Sequence, residues 1–260
     1  MPGGLLTSGT AAQGRTTGML DALPALAPGK LTGPAPTADP AMTAPFDYAQ
    51  ARENMVEQQV RPWDVLDLRV LDVLVRMPRE EFAPDAHRAL AYADMEVPLA
   101  HGEAMFKPVL DGRALQALAI GPADDVLDIG SGSGYLTACM GRLGRAATGI
   151  ERHADLTAAA QARLQRLGLT NTRIVAADAF AWETEARFDA ICVGGAVDVI
   201  PERFVQWLKP GGRLFAVRGR APAMEAVLLW QDDNGPRIES LFETELPYLH
   251  GAAPQPHFHF

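Results

Sequence analysis

The chain has 260 residues, 48% hydrophobic and 21% charged, a composition typical of folded globular domains and a length beyond any small scaffold stapled by disulfides. Its 23 Lys and Arg against 32 Asp and Glu give a formal charge of -9, so nothing draws the molecule as a whole to a phosphate backbone or an anionic membrane surface. Two isolated cysteines, Cys139 and Cys192, no apolar run near the roughly 18 residues of a membrane helix, and no signal-peptide pattern exclude a disulfide framework, a zinc knuckle and a membrane span. The expected compartment is the cytoplasm, with neither nucleic acid nor membrane as partner and no metal.

Residues 1–45 hold seven Pro and seven Gly but only four charged side chains, and their apolar residues keep no period. Such a segment cannot offset its ordering entropy by burial and is expected to be a flexible extension, with Met42 an equally good start for the folded part. From Phe46 to about Pro84 the pattern is helical. Met55, Val56 and Gln59 share one side, Val70, Leu71, Leu74 and Met77 recur after Asp67, and Arg61-Pro62 splits two helices. Prolines 62, 78, 84, 98 and 108 then cut the chain into short pieces, so 46–110 reads as a helical cap over the domain that follows.

From Ala123 strands alternate with helices. Strands are expected at 125–129, 146–150, 173–176, 188–193 and 213–217, with helices from the glycine turn to Leu143, over 153–167 and over 201–208. A turn at Lys209-Pro210-Gly211-Gly212 precedes the last of those strands. Strand then helix, repeated, implies right-handed crossovers and a mostly parallel, doubly wound sheet, here over 111–245. Segments 227–231 and 236–242, separated by Asp232-Asp233-Asn234-Gly235, read as a closing antiparallel hairpin. Residues 246–260 are left as a C-terminal tail, in which His257 and His259 lack any further ligand at metal spacing.

The informative segment is Asp128-Ile129-Gly130-Ser131-Gly132-Ser133-Gly134-Tyr135, an apolar strand running into a glycine turn and then a helix. A dinucleotide site wants G-x-G-x-x-G, with a pyrophosphate at the helix N-terminus. Here the spacing is G-x-G-x-G with Tyr135 at the third glycine's place, and Asp128 would repel a diphosphate while suiting a cation. The next strand ends at Ile150-Glu151, where a carboxylate can accept both ribose hydroxyls, and the one after ends in Ala176-Ala177-Asp178. One glycine turn and three acids at the carboxyl edge of a parallel sheet suit an adenosine with free ribose hydroxyls and a cationic sulfonium amino acid. That ligand is S-adenosylmethionine.

These motifs resemble the protein-L-isoaspartate O-methyltransferase family over roughly residues 50–218. The resemblance rests on Met55-Val56-Glu57-Gln58-Gln59-Val60, Met77-Pro78-Arg79-Glu80-Glu81-Phe82, Ala91-Tyr92, the glycine turn, Val193-Gly194-Gly195-Ala196 and Lys209-Pro210-Gly211-Gly212-Arg213-Leu214. It implies a class I, Rossmann-like S-adenosylmethionine-dependent methyltransferase with an N-terminal helical cap. Carried over by position, it makes Asp128, Ile129, Gly130, Ser131, Gly132 and Ser133 the methionine-side contacts, with Gly134 and Tyr135 completing the turn. Glu151, followed by Arg152, becomes the ribose ligand, and Asp178-Ala179 the adenine-side contact. Glu103, Ala104, Met105 and Phe106 form the cap strand over the cofactor, Asp111 lies near it, and Gly194 belongs to the floor beneath the transferred methyl.

One departure bears on the acceptor. The family carries Thr-x-Ser-x-Pro where this chain reads Ala104-Met105-Phe106-Lys107-Pro108, so both hydroxyls are gone and Phe106 adds an apolar ring. Ala179, where relatives commonly have glycine, is a milder change. The C-terminal segment from Phe242 also differs from the usual ending. The implied activity is O-methylation of a small-molecule, peptide or protein carboxylate that differs from an isoaspartyl peptide, with no catalytic residue assigned. A cofactor-binding homologue serving as a partner-recognition module, and a nicotinamide oxidoreductase, remain alternatives. His101 reads as a structural or surface residue.

Overall fold

Asp47 opens the first helix, its carboxylate accepting from Gln50 N at 3.0 Å, and α1 spans Tyr48–Met55. The computed structural model describes residues 46–232 and 235–254. Residues 1–45, the Asp233-Asn234 turn, His257 and His259 lie outside the described residues.

After α1 the helix widens over Val56–Val60 and tightens over Arg61–Trp63, where Pro62 and the left-handed Asp64 stop it. A second helix, α2 (Leu68–Arg76), starts at Asp67, which accepts from Arg69 N at 2.8 Å, and buries Val70, Leu71, Val73 and Leu74. The break falls where Arg61-Pro62 predicts it. Short turns then lead to β1 (Val97–Pro98) and β2 (Ala104–Met105), paired antiparallel, and to α3 (Pro108–Leu118), whose first residue is a proline that needs no donor there.

The sheet follows: β3 (Asp125–Ile129), α4 (Tyr135–Leu143), β4 (Ala146–Glu151), α5 (Ala154–Arg166), β5 (Thr172–Ala176), β6 (Phe188–Val197), α6 (Glu202–Gln206), β7 (Leu208–Arg220), β8 (Ala223–Asp232) and β9 (Gly235–Glu243). Its strand order is β5-β4-β3-β6-β7-β8-β9. The first five strands run parallel, β8 is antiparallel to β7, and β9 is antiparallel to β8. The closing hairpin is present and begins earlier than expected, because residues 223–226 also pair with β7, with Met224 and Ala226 buried. β3 has β4 on one side and β6 on the other, so the order reverses there, and a crevice opens at the carboxyl ends of these strands.

Two boundaries differ from expectation. Lys209-Pro210-Gly211-Gly212 is not a turn before a strand but a bulge inside β7: Phe188 pairs with Leu208 and Ala190 with Arg213, so the extra residues loop out opposite Asp189. Lys209 is held there by Asp189 (2.6 Å) and Asp125 (3.4 Å). β6 continues past Val193 to Val197 across a second irregularity between Cys192 and Ala196, which turns the Gly194-Gly195 backbone toward the crevice.

Alternation along β3 sorts the core into two layers. Val126 belongs to the cluster shared with α2, α3, α4 and the cap, while Leu127 and Ile129 belong to the cluster with Ile150, Phe204 and Trp207. Cys139 and Cys192 are free and buried, and burial pushes both thiols well up. No described helix is long and apolar enough to cross a membrane, and no three described His, Cys, Asp or Glu side chains gather as a metal site.

Candidate active site

The glycine turn after β3 needs left-handed backbone at Gly130 (φ 77°), Gly132 (φ 50°) and Gly134 (φ 84°), conformations that a side chain would strain. The amides of Gly130 and Ser131 both donate to Ile150 O (2.9 and 3.0 Å), tying the turn to the end of β4. Glu151, the last residue of β4 and 4% exposed, accepts from Gly132 N (3.0 Å) with Oε2 and from His153 N (2.8 Å) with Oε1. Each carboxylate oxygen keeps a further lone pair for a ligand hydroxyl. Gly194 lies so close beneath that a Cβ on it would meet Gly130 O at 2.6 Å and Ile129 O at 2.8 Å.

Behind the turn lies a buried pair of acids. Asp128 is 1% exposed, accepts from Thr137 Oγ1 at 2.5 Å, and is pushed up to about 7 by burial, with Asp111 and Glu151 adding to the rise. Asp111, on α3, is pushed up to about 6 by burial, opposed by Arg79. Arg79 is wholly buried. Its guanidinium binds the Asp111 carboxylate and the carbonyls of Phe106 and Ala91, and lies 4.7 Å from the Tyr135 ring centre. Among the described residues Asp111 therefore has a cation and Asp128 has none. Ser131 Oγ, also in this recess, is buried without a hydrogen-bond partner among the described residues.

The crevice has two further walls. From the cap come Glu96, Glu103, Ala104, Met105 and Phe106. From the chain after β9 comes Leu246-Pro247-Tyr248-Leu249-His250, a strap docked on the irregular stretch of β6. Ala196 N donates to Pro247 O and Leu249 N to Ala196 O, both at 2.8 Å, and Tyr248 Oη donates to Gly219 O at 3.0 Å. Tyr248→Phe is expected to lower the melting temperature by about 2–4 °C, the worth of one part-buried hydrogen bond in a unit this size, read by thermal circular dichroism.

Of the residues picked out by sequence, Glu103, Ala104, Met105, Phe106, Gly130, Gly132, Glu151, Arg152, Asp178, Ala179 and Gly194 line the crevice. Asp111, Asp128, Ser131, Ser133 and Tyr135 line the adjoining recess, which shares the cap strand and the turn. Two are not brought in. Ile129 is fully buried in the second core layer because its position in β3 points opposite to Asp128, and Gly134 is packed on Ala160, where a Cβ would sit 2.9 Å from the alanine methyl. Asp178 Oδ1 accepts from Phe180 N at 2.8 Å, which shapes the loop after β5.

Arg79, Glu96 and the strap were not foreseen. His101 sits at the rim, stacked on His153 with ring centres 4.0 Å apart and bound to Asp155 at 2.9 Å, where it joins the cap turn to the start of α5. Proximity of the Asp155 carboxylate to His101 holds that carboxyl below its ordinary range.

This geometry can be set beside known proteins. The profile of the protein-L-isoaspartate(D-aspartate) O-methyltransferase family matches residues 50–239. The chain belongs to that family. A protein-L-isoaspartate O-methyltransferase of Methylorubrum extorquens is 41% identical over 181 residues, covering 67% of this chain and 79% of the relative. One from Koribacter versatilis is 35% identical over 189 residues, covering 72% and 85%. Among solved structures, a protein-L-isoaspartate O-methyltransferase from Plasmodium falciparum in complex with S-adenosyl-L-homocysteine superposes with a TM-score of 0.67 at 23% identity, over 79% of this chain and 99% of that one. This structural likeness concerns the fold. The span matched by the isoaspartate methyltransferase profile holds the cap, the glycine turn and the acids, while the strap lies beyond it.

Proposed function

We propose that this chain is an S-adenosylmethionine-dependent O-methyltransferase whose carboxylate acceptor differs from the isoaspartyl peptides for which its family is named. The cofactor fits the residues present. Asp128, buried without a cation of its own, suits the ammonium of the methionine moiety, and the orphaned Ser131 Oγ suits its polar end. The spare lone pairs of Glu151 suit the ribose hydroxyls, and Asp178 and Ala179 border the adenine side. When bound, S-adenosylmethionine supplies an electrophilic methyl on a positively charged sulfur that departs neutral.

What remains for the protein is to hold an acceptor oxygen in line and keep water out. A carboxylate is already ionised at neutral pH, so it needs no general base. The observation that carries the reading is Phe106: 8% exposed, fixed through its carbonyl by Arg79, it fills the cap strand position where a hydroxyl would orient an isoaspartyl carboxylate. With Met105, Leu246 and Leu249 it adds an apolar side to a mouth otherwise edged by charged residues.

Isoaspartyl peptide turnover at pH 7.5 is therefore expected to lie at least about tenfold below that of a family member carrying Thr-x-Ser, the cost of one lost orienting contact. The double change Ala104→Thr, Phe106→Ser is expected to recover about tenfold. Equal turnover by the unaltered chain and the relative would contradict the altered acceptor. Tight S-adenosylhomocysteine binding with no methyl incorporation into any carboxylate would instead favour the partner-recognition module.

A further inference from the structure

Glu96 sits one step beyond the short β1–β2 ladder. Val97 pairs with Met105 and Pro98 with Ala104, so the next position places Glu96 opposite Phe106. Residues 96, 104 and 106 all line the crevice, and positions 104 and 106 are those that lack hydroxyls. Among the described residues the Glu96 carboxyl has no hydrogen-bond or ion-pair partner, although it is half-buried. Two charges bear on it: Lys107, which begins the turn into α3, and Glu245, which leads into the strap. From the other walls come Glu103, Arg152, Asp178 and His250.

We propose that Glu96, in its protonated form, is the acceptor-binding residue of this site, donating a hydrogen bond to the acceptor carboxylate in place of the missing hydroxyls. The inference rests on the carboxyl-methyltransferase reading above. A carboxylate acceptor beside Glu96 forms a like-charge pair that cannot both stay ionised in a water-poor cleft, so the pair shares one proton. Burial already pushes Glu96 up, Glu245 adds to the rise, and Lys107 opposes it. The shared proton is held and not consumed: the acceptor oxygen forms its bond to the methyl carbon, the carbon–sulfur bond breaks, and its electron pair stays on sulfur. An ionised Glu96 repels the acceptor carboxylate, so isoaspartyl turnover is expected to fall as pH rises. Acid restores the donor.

The test uses the full chain, an isoaspartyl hexapeptide and saturating S-adenosylmethionine, with S-adenosylhomocysteine affinity measured at each pH. The kcat/KM for the peptide is expected to fall at least about tenfold from pH 5.5 to 8. Glu96→Gln, whose amide always carries a donor, is expected to flatten that fall and to exceed the unaltered chain at pH 8. Glu96→Ala is expected to be about ten- to a hundredfold slower at pH 5.5.

A second readout does not need turnover. Calorimetry of the peptide on the S-adenosylhomocysteine complex, repeated in buffers of different ionisation enthalpy, is expected to show about one proton taken up near pH 7, and none with Glu96→Gln. A kcat/KM that rises with pH and is abolished in Glu96→Gln overturns the proposal, because Glu96 would then be a base for a hydroxyl acceptor. So does the absence of proton uptake, or of any transfer down to pH 5.5, in protein that still binds S-adenosylhomocysteine. Loss of S-adenosylhomocysteine binding itself strikes the methyltransferase reading instead.

Discussion

Gly132→Val is expected to weaken S-adenosylhomocysteine binding by at least about a hundredfold while the protein still folds. Gly132 holds φ 50°, a left-handed conformation that costs a residue with a side chain roughly 1–2 kcal/mol and a β-branched one more. The first added carbon meets only the tip of Leu99, at 3.2 Å, a flexible side chain that can yield. Gly132 lines the crevice, so the two further methyls of valine are expected to take space there from the ligand. Strain at this residue also disturbs the amide that holds Glu151 Oε2, so Glu151, proposed to bind the ribose, loses its orientation together with the turn. Calorimetry with S-adenosylhomocysteine, alongside far-ultraviolet circular dichroism, reads both parts, and an unchanged Kd in folded Gly132→Val protein removes the turn from the binding site.

The second large effect concerns Asp128. Burial raises its folded-state pKa to about 7, from an ordinary value of 3.8, so the ligand-free folded protein holds a proton that the unfolded chain releases. Stability contributed by that proton is fully present below about pH 4 and is lost as pH rises through about 7. Asp111, raised to about 6, acts in the same direction over a lower window. Asp128→Asn is isosteric and uncharged, and it is expected to raise the melting temperature of the ligand-free protein at pH 8 by about 5 °C. That advantage should shrink steadily as the buffer is taken from about pH 7 down and vanish near about pH 4.

Binding is expected to move the other way. If the ionised Asp128 carboxylate partners the ligand's ammonium as proposed, Asp128→Asn loses about ten- to a hundredfold in S-adenosylhomocysteine affinity at pH 8. In the unaltered protein that affinity is expected to rise between pH 6 and 8, as binding must displace the proton. Differential scanning calorimetry and titration calorimetry at three pH values check both signs. A variant that is no more stable and binds equally well would show that Asp128 is compensated by something other than the cofactor.

Local patterns reveal some parts of this molecule and are silent on others. β3 and the glycine turn are legible because an apolar run, a charged residue and three glycines are contiguous, and Glu151 and Asp178 are legible because each closes a short β-rich run. Arg79 is not. It stands in the charged string Arg79-Glu80-Glu81, which reads as solvated surface, and only the fold brings Asp111, 32 residues later, and the Phe106 carbonyl to its guanidinium. Glu96 is a lone acid in a proline-broken segment, and its meaning comes from a ladder too short to leave a period of two. The strap has no periodicity at all because its bonds go to an irregular strand edge. Ile129 shows the converse: membership of the motif suggested contact, while alternation along the strand sends its side chain into the core.

The strap also bears on how the molecule comes together. The contacts proposed for the nucleoside lie mostly between Asp128 and Ala179, on the consecutive, mutually paired strands β3, β4 and β5 and the turns that follow them. The acceptor half needs Glu96 and Phe106 from near one end of the folded unit and Leu246 to His250 from near the other, about 150 residues apart in the chain. Contacts across such separations close slowly and last. On the proposed assignment, the nucleoside side of the crevice is therefore expected to form before the acceptor side, and acceptor binding, rather than nucleoside binding, reports that folding is complete.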